Sequence, residues 1–114
     1  MNLDELSKAI SEISQDIVVQ KLSRNLVEWK NNDQNVEDLN KNIERFIGNS
    51  WIESDEDHTN IYELWSTFNE EVIKNIGGMT MNERLYYFSL FERFDSCMNK
   101  EQQLTIYNKL HANP

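Results

Sequence analysis

The chain has 114 residues, 20 acidic against 11 basic side chains, a formal charge of −9 and a hydrophobic fraction of 39%. That apolar content excludes a disordered chain. The charge disfavours polyanionic partners, both nucleic acid and anionic lipid surfaces, and makes a cationic protein the favoured one.

The N-terminus opens directly on an amphipathic pattern. Asn2 with Glu5 three residues on is a helix-start signal, and Leu3, Leu6, Ile10, Ile13 and Ile17 follow at three- and four-residue steps. Ser14, Gln15 and Asp16 either interrupt this helix or are carried through it. Val18, Val19, Leu22, Leu26 and Trp29 resume the period. The polar run from Asn31 to Asn35 reads as a loop, because short polar side chains compete for backbone bonds.

Asn35 and Asp38 mark the next start, with Leu39, Ile43, Phe46 and Ile47 as its buried face and Gly48 as its end. Residues 49–59 are less regular, and a helix is predicted from about Thr59. Ile61, Leu64, Trp65, Phe68, Val72, Ile73 and Ile76 form its stripe, closed by Gly77 and Gly78. All three glycines fall where C-terminal caps are expected. Thr80 with Glu83 opens a helix that is apolar around most of its circumference through Phe94. Asn99 with Gln102 opens the last one. The expected architecture is all-α, a single compact bundle of five or six helices spanning 1–114. The lone Cys97, the lack of a signal-like N-terminus and the lack of a long apolar run point to a cytoplasmic protein.

No catalytic set accompanies this pattern. His58 and His111 are far apart in sequence and read as loop or helix-end residues, and Cys97 reads as a small packed thiol. Glu53, Asp55, Glu56 and Asp57 form the densest acidic group, but without the glycine and spacing of a calcium loop, so no metal or other cofactor is expected. Two readings of the group remain: acids near the positive end of a helix, or a patch facing a partner. Asp33, Glu37, Asp38 and Glu44 make a second, looser acidic group with the same two readings. Trp65 and Trp29 lie on apolar stripes and are expected in the core. Trp51, beside the acids, is the candidate exposed anchor. The aromatic run Tyr86–Phe94 lacks the basic groove of a base-stacking surface and reads as core.

The stretches Ile61-Tyr62-Glu63-Leu64-Trp65 and Gly78-Met79-Thr80-Met81-Asn82-Glu83-Arg84-Leu85-Tyr86-Tyr87, in a small, acidic, cysteine-poor helical chain, resemble immunity proteins of bacterial polymorphic toxin systems, including contact-dependent growth inhibition. The Asn- and Lys-rich composition suits a low-GC bacterial gene. The resemblance implies a non-enzymatic protein that binds a cationic cognate toxin, often a nuclease, and covers its active site or substrate path. Competing readings are an acidic nucleic-acid mimic, a regulatory adaptor working through apolar contact, and an enzyme centred on His58.

Overall fold

Side-chain caps set most of the helix starts. Asn2 accepts from the Glu5 amide while Glu5 returns a bond to the Asn2 amide, both at 2.9 Å. Asn35 with Asp38 and Thr80 with Glu83 make the same reciprocal box. The computed structural model describes residues 1–114 and is all-helical. Seven α-helices follow one another: α1 (Leu3–Ser11), α2 (Ile17–Asn31), α3 (Val36–Asn49), α4 (Asp55–Phe68), α5 (Met81–Tyr87), α6 (Phe91–Asp95) and α7 (Lys100–Lys109). A π-helical turn, Asn69–Ile73, extends α4, and a 3₁₀ turn, Ile76–Gly78, precedes α5. No helix is long and apolar enough to cross a membrane.

The count of seven corrects the expected five or six: the chain takes the break at Ser14–Asp16, one of the two alternatives there, and adds an unexpected one at Ser89. At Ser14–Asp16 the chain stops because Asp16 caps α2 by accepting from the Val18 amide, at 2.9 Å. Gln20 then binds the Ser11 and Ser14 carbonyls, both at 2.7 Å. The aromatic helix predicted through Phe94 breaks at Ser89, which has φ 56°. There the Leu90 amide reaches back to the Leu85 carbonyl and the Ser89 amide to Tyr86, a Schellman ending. His111, φ 53°, ends α7 in the same way, with Ala112 bonded to Tyr107. The expected glycine caps are therefore corrected. Gly48 lies inside α3, Gly77 and Gly78 lie in the 3₁₀ turn, and no glycine has positive φ.

The core is continuous across the helices. Phe88 packs between Trp29 and Phe68, tilted against the first with ring centroids 5.6 Å apart and edge-to-face with the second at 5.9 Å. Trp65 joins Phe68 at 5.8 Å. The break at Ser89 lets Leu85, Phe88 and Leu90 all reach this core, while Tyr86 and Phe91 face outward. A single straight helix could not have buried one set and exposed the other so cleanly. α1 and α2 meet over a buried serine pair. Ser7 Oγ lies 2.8 Å from Ser23 Oγ, and Ser23 Oγ donates to the Ser7 carbonyl at 2.9 Å. Small side chains allow the close approach, and every hydroxyl there is satisfied. The molecule is elongated, 46 × 25 × 20 Å.

Candidate acidic interface

The segment between α3 and α4 is anchored by one side chain, Ile52, which is buried. Its neighbours on both sides are pushed outward. Trp51 is 82% exposed, the most exposed of the three tryptophans, while Trp29 and Trp65 are in the core. Ser54 caps α4 by accepting from the Asp57 amide at 3.2 Å, so the helix starts at Asp55 rather than near Thr59. Asp55, Glu56 and Asp57 therefore form a first helical turn, where the helix dipole stabilises carboxylates. Glu53, Asp55 and Glu56 are exposed and Asp57 is half-buried.

Folding adds an acid that the linear pattern did not place there. The α1–α2 loop packs beside this segment, and the two enclose a cleft of about 420 Å³. Asp16, Glu53 and Asp57 line it, with no basic side chain among the lining residues. The only sequence signal for Asp16 was its place in a polar interruption. No three His, Cys, Asp or Glu side chains come together in an arrangement that could hold a metal ion.

Two members of the second acidic group, Asp33 and Asp38, are held internally. Asp33 pairs with Arg93 at 2.7 Å, and the same guanidinium donates to the Lys30 and Asn32 carbonyls at 2.8 and 2.7 Å. Asp38 is the return arm of the α3 capping box. Glu37 is exposed and unpaired, but it is separated from Trp51 by the length of α3. The structure thus keeps Glu53, Asp55, Glu56, Asp57 and Trp51 together, and sets Asp33, Glu37 and Asp38 at the other end of that helix.

Lys109 was missed entirely. It is 1% exposed, and its ammonium donates to the Trp29 carbonyl, to the Asn32 carbonyl at 2.8 Å and to the Gln34 carbonyl at 2.7 Å. It also lies 3.8 Å from the centre of the Trp29 ring. Burial, and then the Arg93 charge, push it down from 10.5 to about 7, against the opposing pull of Asp33 and Asp38. Lys109 and Arg93 hold the 30–34 loop from α7 and α6. No local sequence pattern reveals a cation that pairs with carbonyls 75 or more residues away.

His58 lies within α4, half-buried, and its Nε2 donates to the Ile47 carbonyl at 3.2 Å. It ties α4 to α3 and bonds to main chain rather than to a serine or thiol. Cys97 is half-buried, with its thiol 3.4 Å from the Arg93 carbonyl. Compared with known protein families, curated proteins and solved structures, the chain matches none.

Proposed function

We propose that this chain is an immunity-type protein that binds a cationic cognate toxin, a nuclease in the first instance, and covers its active site or substrate path. The observation that carries this reading is the exposed Trp51 beside the exposed acids Glu53, Asp55 and Glu56. An indole held in water contributes nothing to the fold, but it is a good interface anchor. The carboxylates next to it have no ion-pair partner in the molecule. The ion pairs present are Asp4–Lys30, Glu70–Lys74 and Asp33–Arg93; each is neutral, so the whole −9 charge acts on the surroundings.

The division of labour follows from magnitudes. Unpaired surface acids steer a basic partner and raise the association rate toward about 10⁸ M⁻¹s⁻¹ at low salt. Residence time depends on a desolvated anchor, here Trp51. The test is purification of the product of the adjacent gene with this chain and measurement of the enzyme's activity. The reading expects a stable complex and loss of that activity. Full activity in the presence of excess chain would reject it.

A further inference from the structure

A groove of about 610 Å³ runs along α4 and its π turn, on the flank away from His58. Its floor is apolar: the half-buried Leu64, with the core residues Phe68 and Val72 below it at four-residue steps, faced by Ile13 beyond the end of α1 and by the exposed Met1. Its rim is acidic. Glu63, Thr67 and Glu71 form the adjacent row at the same steps, and all three are exposed. The π turn, in which the Lys74 amide bonds to the Asn69 carbonyl at 2.9 Å, carries both rows past the end of α4. Glu56 lies on the same helical stripe one period earlier. The groove rim therefore presents two carboxylates, Glu63 and Glu71, eight residues or about two helical turns apart. Neither is ion-paired, and no Lys, Arg or His side chain is among the residues lining the groove, which include Met1 with its terminal ammonium.

We propose that this groove docks a cationic amphipathic helix of a partner protein, with its apolar face on the half-buried Leu64 and Ile13 and with lysines or arginines spaced two turns apart against Glu63 and Glu71. The proposal rests on the cationic-partner reading above and extends it from the end of α4 to its side. An α-helix repeats its faces every seven to eight residues, which is the spacing of the acid row. The apolar floor supplies burial and the rim supplies register, as in other helix-in-groove recognition. A second copy of this chain is a poor occupant, since two molecules of charge −9 repel.

The probe is an end-capped synthetic 18-residue helix with leucines on one face and lysines two turns apart along one edge. A peptide of identical composition in shuffled order is the control. Titrated into the isotopically labelled full chain, the patterned helix is expected to shift the amides of residues 60–72. It should bind at least tenfold more tightly than the shuffled one. Glu63→Gln with Glu71→Gln, both exposed sites that leave the core untouched, should weaken it about tenfold. Glu53→Gln with Asp55→Asn should change it less than twofold. Absence of binding, equal affinity for the shuffled peptide, no effect of the Glu63 and Glu71 changes, or shifts confined to 51–57 would each overturn the groove. So would a concentration-dependent dimer of this chain that buries the same residues. Because the probe is synthetic, these outcomes are separate from the fate of the toxin reading, which depends on the natural partner and Trp51.

Discussion

Lys109 shows how much one residue can decide. An ammonium that is 1% exposed with no carboxylate partner is costly. Its carbonyl acceptors and the Trp29 ring repay only part of that cost, so its proton is released near pH 7 rather than 10.5. The folded chain then binds fewer protons than the unfolded chain between these values. Stability from this group is therefore present above pH 10.5 and lost as pH falls toward 7. Urea unfolding of the wild type should show stability rising from pH 7 to pH 10, and Lys109→Met should flatten that slope. A wild-type slope of the opposite sign would mean that the oxygen cage outweighs burial. Trp51 makes the contrasting case. At 82% exposure, Trp51→Ala should move folding stability by no more than about 0.5 kcal/mol. A core tryptophan would cost about 3–5 kcal/mol.

At the level of elements, periodicity and caps carried the reading. Asn2, Asn35, Thr80 and Asn99 start helices where their spacing said they would, because a cap is a bond between residues three apart. The endings were not legible. Ser89 and His111 adopt the left-handed conformation without being glycine, each held by two Schellman bonds that only the packed chain enforces. His111→Gly should therefore stabilise the protein by about 0.5–1 kcal/mol, since the side chain's steric penalty is removed at an exposed site. Thermal or urea unfolding reads this directly, and a loss of stability would refute it. Phe88 is the opposite kind of position: fully buried, in contact with Trp29 and Phe68 and placed by the Ser89 turn. Phe88→Ala should cost about 3–5 kcal/mol, a large share of the stability of a domain this size.

At the level of the molecule, composition gave the helical class and the acidity, and the fold sorted the acids by position. Asp33 and Asp38 are tied down by Arg93 and by a capping box. Asp16 joins Glu53 and Asp57 across a loop contact. Such sorting is invisible in a linear sequence because it depends on partners tens of residues away. Among the acids outside any ion pair, two groups lie along α4: the first turn with Trp51 at one end, and the Glu63–Glu71 row on the side. In the proposed function, this edge captures a basic protein. The most direct test is stopped-flow binding to the product of the adjacent gene at low and high salt. It compares the wild type with Trp51→Ala and with the quadruple amide variant at Glu53, Asp55, Glu56 and Asp57. The amide variant should associate at least tenfold more slowly at low salt and lose most of its salt dependence, while Trp51→Ala should chiefly accelerate dissociation. Association and dissociation rates unchanged in both variants would contradict the proposed function.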